Sequence, residues 1–120
     1  MKSSSSTITF ANSVPTIAAI DVGSNAIRLA IANANADNGG YQTLYSVREA
    51  VRLGQDVFTK GAISPQTIER TVQTFFDFKT KLAQHSATLV KAVGTSALRE
   101  ATNRDAVLKA VAKATGIEIS

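Results

Sequence analysis

Thr16-Ile17-Ala18-Ala19-Ile20-Asp21-Val22-Gly23-Ser24-Asn25-Ala26-Ile27-Arg28-Leu29-Ala30-Ile31 is the stretch on which the fold turns. Thr16 to Ile20 is a continuous apolar run that stops at Asp21 and the turn-forming Val22-Gly23-Ser24-Asn25, which predicts a strand buried on both faces. A second apolar run, Ala26 to Ala32, follows at once, and the polar, Asn- and Gly-rich segment from Asn33 to Gly40 predicts the connection of a hairpin. Tyr41 to Leu53 then alternates. Tyr41, Thr43, Tyr45, Val47, Val51 and Leu53 fall on one face, with Gln42, Ser46, Arg48 and Arg52 mostly on the other. Three consecutive strands in a meander are therefore expected.

Further along, Gly54 to Ser64 reads as a loop. Ser64 can cap a helix whose first position is Pro65, where the missing amide hydrogen does no harm. Ile68, Val72, Phe75, Phe76 and Leu82 recur with helical period through about Gln84, and His85 is placed to cap the end. Leu89 to Val93 reads as a short strand, Gly94-Thr95-Ser96 as a turn, and Ala97 to Ala101 as a short helix. Asn103 is a good cap for a second helix bearing Val107, Leu108 and Val111 and ended by Gly116. Ile117-Glu118-Ile119 reads as a last strand. The order strand, strand, strand, helix, strand, helix, strand predicts an α/β protein in which a meander feeds β-α-β crossovers on one mixed sheet. At the other end, Met1 to Val14 holds five serines and one charge, Lys2, without a helical or strand period, and is expected to be a flexible leader. It has no arginine, so a targeting role is not expected.

Length and composition bound the function. One domain is expected from 120 residues, and 44% hydrophobic against 18% charged residues suits a globular core. Thirteen Lys and Arg against nine Asp and Glu give +4, a mild basic excess compatible with a phosphorylated or polyanionic ligand. The absence of cysteine removes disulfides, thiolate metal sites and thiol nucleophiles, and the single histidine, His85, removes multi-histidine metal sites. No apolar run approaches the roughly 18 residues needed to cross a bilayer, so a cytoplasmic protein without a membrane partner is expected.

Two clusters could carry chemistry. Asp21 ends the first strand, and Gly23, Ser24 and Asn25 follow in a turn whose amides and side chains can donate to phosphate oxygens. The same turn can also be an ordinary hairpin in which Asp21 and Asn25 bond their own backbone. Arg28 lies in an otherwise apolar strand, where a buried guanidinium needs Asp21 or a bound anion as its partner. In the second cluster, Val93-Gly94-Thr95-Ser96-Ala97-Leu98-Arg99-Glu100-Ala101-Thr102-Asn103, a strand end, a glycine and two hydroxyls precede a helix start. Ser96 and Arg99, three apart, share a helix face, although Thr95 or Ser96 as a simple cap and Arg99 paired with Glu100 or Asp105 is the alternative. Asp56, Asp77 and Asp105 have no metal-ligand spacing and read as surface charges.

Together the two clusters resemble the exopolyphosphatase and guanosine pentaphosphate phosphatase (Ppx/GppA) family, a branch of the actin-like, sugar-kinase and Hsp70 ATPase superfamily with a ribonuclease H-like fold. Ala19-Ile20-Asp21-Val22-Gly23-Ser24-Asn25-Ala26-Ile27-Arg28-Leu29 resembles the family's first phosphate loop. Val51-Arg52-Leu53-Gly54 resembles the end of its third strand, and Val93 to Asn103 its A-T-S-A-x-R-x-A-x-N segment. The resemblance covers about 16–120 and implies hydrolysis of a phosphoanhydride, either the terminal phosphate of polyphosphate or the 5′ phosphate of pppGpp, with Mg2+ or a similar cation. It further implies that Gly23, Ser24, Asn25 and Arg28, with Thr95 and Ser96, hold phosphates. By the same resemblance, Arg99 stabilises charge in the transition state and Asp21 helps to place the cation, through water. Ala26 stands where the family often has a hydroxyl residue.

The family's catalytic glutamate and its second phosphate loop correspond to positions beyond Ser120, and Glu118 is not that glutamate. The resemblance thus implies that 15–120 is part of a first actin-like domain, inactive alone, whose partner is the rest of a longer chain or a second copy. An ATP-binding domain of the kinase or actin type is the alternative within the superfamily, and Ser24-Asn25 followed by Arg28 argues against its usual D-x-G-T loop. A non-enzymatic polyanion-binding module is the other alternative. The basic residues are spread along the chain with no aromatic interleaved among them, so nucleic acid is not an expected partner.

Overall fold

The computed structural model describes residues 15–35 and 40–120. The serine-rich leader and the middle of the connection after the second strand lie outside the described residues. Four strands form one sheet: β1 (Thr16–Val22), β2 (Ile27–Asn35), β3 (Gly40–Glu49) and β4 (Leu89–Gly94), in the spatial order β3-β2-β1-β4. The meander is antiparallel, and β4 lies parallel to β1 on its other side. Ile119 forms a single parallel bridge to Ala92, with Ser120 donating its N–H to the Ala92 carbonyl, so the expected last strand is present only as its first bridge.

All the helices among the described residues lie towards one face of this sheet. Ala18, Ile20 and Val22 of β1 and Ile27, Leu29 and Ile31 of β2 are buried beneath them, packed with Phe75, Phe78 and Leu82, Val107 and Val111, and Val51, Leu53 and Val57. The intervening Ala19, Asp21, Arg28 and Ala30 are exposed. The apolar run Thr16 to Ile20 is thus half-buried rather than buried on both faces: its second face carries a partly buried Ile17 and an exposed Ala19, whose small apolar surface reads as core in a sequence but needs no cover. Arg28 consequently stands in solvent, and the expectation that burial forces a counter-ion on it does not hold.

Two further corrections arise next to that sheet. Between β2 and β3 the register steps from Ile31 opposite Tyr45 to Ala32 opposite Thr43, leaving Leu44 as an extra residue. This bulge turns Tyr41 and Thr43 to the face opposite Tyr45 and Val47, so the single alternating face from Tyr41 to Leu53 breaks in its middle. The segment expected as a loop contains a helix, α1 (Leu53–Lys60), which buries Leu53, Gly54 and Val57 and stops at Gly61 with φ +78°.

Helix α2 (Pro65–Gln84) begins where the sequence places it. Ser64 accepts a hydrogen bond from the Thr67 N–H at 3.2 Å, Pro65 is the first residue, and Thr71, Thr74, Phe75, Phe78 and Leu82 form the buried stripe. Phe76 is 52% exposed. His85 ends the helix, with Nδ1 2.9 Å from the Lys81 carbonyl. Two short helices follow β4: α3 (Ser96–Glu100), against α1, and α4 (Arg104–Thr115), against α2 and stopped by Gly116 at φ +78°. No helix among the described residues is long and apolar enough to cross a membrane.

Asn103 precedes α4 but does not cap it with its side chain. Its Oδ1 accepts from the Ile63 N–H at 2.9 Å and its Nδ2 donates to the Ile63 carbonyl at 2.8 Å, fastening the α1–α2 connection to the start of α4. Asp56 is no idle surface charge either. Its Oδ2 accepts from the Ser64 N–H at 2.9 Å, and this bond, with help from the Thr67 and Ser64 hydroxyls and Lys60, holds the carboxyl below its ordinary value against a small opposing effect of burial.

Candidate functional site

Parallel pairing sets β1 beside β4, with Val22 opposite Gly94, so the two loops that leave these strands emerge at the same edge of the sheet. Strand ends of this kind are where open α/β sheets hold ligands. The two clusters are joined there by Thr95, which lies 73 residues after Val22. Its N–H donates to the Val22 carbonyl at 3.0 Å and its hydroxyl to the same oxygen at 3.1 Å. A Cβ on Gly23 would stand 4.0 Å from the Thr95 Oγ1. Both donors of Thr95 are therefore engaged in holding the loops together, and Ser96 is the hydroxyl of this pair that stands exposed without a partner among the described residues.

The first loop is braced from two sides. Across its own turn, the Gly23 N–H donates to the Ala26 carbonyl at 2.9 Å. From below, the Gly54 N–H at the start of α1 donates to the Ser24 carbonyl at 2.8 Å. Helix and loop approach so closely that a Cβ on Gly54 would lie 2.9 Å from the Ser24 Cβ and 3.2 Å from the Ser24 oxygen, which only glycine permits. With the loop's carbonyls so occupied, the amides of Ser24 and Asn25 and the side chains of both residues have no partner among the described residues. Donors held rigidly with nothing to donate to are what an anion requires. Gly54 is the contributor that residue-by-residue reading missed. A two-turn helix in which only Leu53 and Val57 share a buried face, with Phe58 exposed, gives little periodic signal, and its glycine reads as a loop.

Asp21 and Arg28 sit directly opposite each other in the β1–β2 register, both on the open face and next to the loop. Asp21 lies one residue before the end of the strand that enters the turn. Among the described residues no three His, Asp or Glu side chains gather closely enough to hold a metal by themselves.

Arg99 is placed differently. Its Nε donates to the Gly94 carbonyl at 3.1 Å and not to Glu100 or Asp105, so the guanidinium is aimed by the strand end. It lines a hollow of about 310 Å³ with Gly94, Leu98, Arg104, Asp105, Leu108 and Ser120, on the side of β4 towards the Ile119 bridge. The structure thus brings Gly23, Ser24, Asn25, Arg28, Asp21, Thr95 and Ser96 to one sheet edge, and sets Arg99 next to them beyond Gly94.

Comparison with known proteins identifies the family and the fold. Residues 31–120 match the model of the Ppx/GppA phosphatase family. Exopolyphosphatase 2 of Mycobacterium tuberculosis is 41% identical over 91 residues, which cover 74% of this chain and 28% of that protein. Among solved structures, the Ppx/GppA family member of Aquifex aeolicus superposes with a TM-score of 0.84 at 29% identity, over 90% of this chain and 35% of its own. An exopolyphosphatase from Cytophaga hutchinsonii superposes with a TM-score of 0.81 at 32% identity, over 87% of this chain and 33% of its own. The chain therefore spans about a third or less of the length of these relatives. With a family match over three quarters of its residues and the actin-like fold of that family's solved members, the chain belongs to the Ppx/GppA phosphatase family.

Proposed function

We propose that the edge formed by the Gly23–Asn25 loop and the Thr95–Ser96 turn binds the terminal phosphates of polyphosphate and serves their hydrolytic release. The observation that carries this reading is the double hydrogen bond from Thr95 to Val22, which fixes two donor-rich loops side by side while leaving the Ser24, Asn25 and Ser96 donors unengaged among the described residues. The name of the Mycobacterium tuberculosis relative supports polyphosphate as the substrate.

In this reading the amides and side chains of Ser24 and Asn25 donate to oxygens of the end phosphate, with Ser96 donating from the second loop. Arg28 supplies the counter-charge, its fork of donors free of partners among the described residues. Arg99, aimed through its Nε, is set to meet charge that develops on phosphate oxygens. A single exposed carboxylate, Asp21, fits a cation of the Mg2+ type, which is commonly held by one or two carboxylates together with substrate phosphates and water. Such a cation would neutralise the negative charge that builds up between phosphates.

The test is a thermal melt of the protein and of Arg28→Ala, with polyphosphate and magnesium or with ATP and magnesium. A ligand at a hundredfold excess over its Kd stabilises the folded state by about 2.7 kcal/mol. The expected result is a raised midpoint with polyphosphate and not with ATP, lost in Arg28→Ala. A shift with ATP alone, or one that persists in Arg28→Ala, overturns the assignment.

A further inference from the structure

We infer that Arg48 and Arg28 together form a second phosphate subsite, which receives the phosphates of a polyphosphate chain next after the one held by the Gly23–Asn25 loop. The inference rests on the reading of that loop as the end-phosphate site and extends it across the sheet.

Strand register makes the juxtaposition. On the open face, Val93, Asp21, Arg28 and Arg48 form one row across β4, β1, β2 and β3, each paired directly with the next. Below it lies a second row, Lys91, Ala19, Ala30 and Ser46. Two arginines directly opposite each other on neighbouring strands repel, because their strands are only about 4.8 Å apart. Nothing among the described residues relieves this: neither guanidinium has a hydrogen-bond or ion-pair partner, and both side chains are exposed. Asp21 flanks Arg28 on the far side from Arg48, so the row carries two positive charges against one negative.

The space beneath the pair is open because the second row is small. Arg28, Leu29, Ala30, Ser46, Val47 and Arg48 line a hollow of about 340 Å³, floored by Ala30 and Ser46 rather than by large side chains. Two forked guanidinium groups over a shallow floor, with a hydroxyl beside them, suit a phosphate with several free oxygens. Arg28 is shared between this place and the loop, from which it is only three residues distant. A chain whose end phosphate sits at Ser24 and Asn25 would thus pass over β2 towards β3, meeting a new positive charge as each further phosphate adds a negative one.

The test is equilibrium binding of inorganic phosphate and of a medium-chain polyphosphate, across a salt series, to the unmodified protein and to Arg48→Thr and Arg48→Lys. Threonine keeps a strand-favouring residue on β3 and removes the repulsion, so the melting midpoint of Arg48→Thr should be no lower than that of the unmodified protein. For Arg48→Thr we expect polyphosphate affinity to fall about tenfold and the slope of log Kd against log salt to drop by about one, with inorganic phosphate affinity unchanged. Arg48→Lys should restore part of the loss, since it keeps the charge without the fork. Unchanged polyphosphate affinity, or an equal loss for both ligands, overturns the subsite while leaving the loop reading intact. Failure of the unmodified protein to bind either ligand overturns the loop reading itself.

Discussion

Two corners of this molecule are built from the same kinds of residue and use them in opposite ways. At the corner between α1, α2 and α4, Asn103, Ser64 and Asp56 are all engaged: Asn103 holds both backbone groups of Ile63, Ser64 caps α2, and Asp56 accepts from the Ser64 amide. At the edge between β1 and β4, Asn25, Ser24 and Ser96 hold donors that meet no acceptor among the described residues, although the backbone beneath them is firmly bonded. A polar side chain satisfied within the chain contributes to stability. One that is left unsatisfied on a braced loop costs little in water, yet it is placed for a ligand. What separates the two is where their hydrogen bonds go, and residue type does not decide it. Helix α1 serves both corners, since Gly54 at its start braces Ser24 and Asp56, two residues on, accepts from the chain before α2.

The largest effect on stability is expected at the satisfied corner. Asn103→Ala leaves the N–H and carbonyl of Ile63 without partners beside a side chain that is only 2% exposed, a loss of about 2 kcal/mol. In a domain of this size that lowers the melting midpoint by roughly ten degrees. A calorimetric scan that finds the variant as stable as the original protein would break the contrast at its stronger end.

How far the sequence carries this contrast depends on the signal each feature leaves. The start of α2 is legible because Ser64 and Pro65 act locally, and the end of α4 because Gly116 alone readily takes its positive φ. The first loop is legible because Asp21 to Asn25 breaks two apolar runs. What escapes is everything that depends on a partner distant in sequence. Nothing near Asn103 says that its amide will seek Ile63, 40 residues earlier, instead of capping the helix it precedes. Nothing near Arg28 says that only one face of β2 is covered, and the extra Leu44 that reverses half of β3 has no marker such as glycine. In the site, Thr95 is legible as a turn hydroxyl, but its role as the tie to Val22 follows only from the β1–β4 pairing.

A smaller effect, with a distinctive pH dependence, is expected of Asp56. Its folded-state value is lowered, so its contribution is fully present above the ordinary carboxylate range and fades as pH falls through the depressed value. Asp56→Asn should therefore be less stable than the original protein near neutral pH, by about 1 kcal/mol or less given its access to solvent. The two proteins should converge at strongly acidic pH. Melting curves whose separation stays constant from neutral to acidic pH would show that the carboxylate charge plays no part in this cap.

The smallest effect on stability belongs to Asn25, and it sharpens the comparison most. Its side chain is exposed and bonds nothing among the described residues, so Asn25→Ala removes no intramolecular hydrogen bond and should leave stability within about 0.5 kcal/mol. The backbone bonds from Gly23 to Ala26 and from Gly54 to Ser24 do not involve that side chain, so the loop should keep its shape. Polyphosphate binding should nevertheless weaken several-fold, because a donor aimed at the end phosphate is gone while Arg28 and the amides remain. Measured together, an unchanged melt and a weakened titration would mark Asn25 as the counterpart of Asn103, the same side chain turned outward. A lowered melt with unchanged binding would instead make the loop an ordinary turn whose asparagine serves its own backbone.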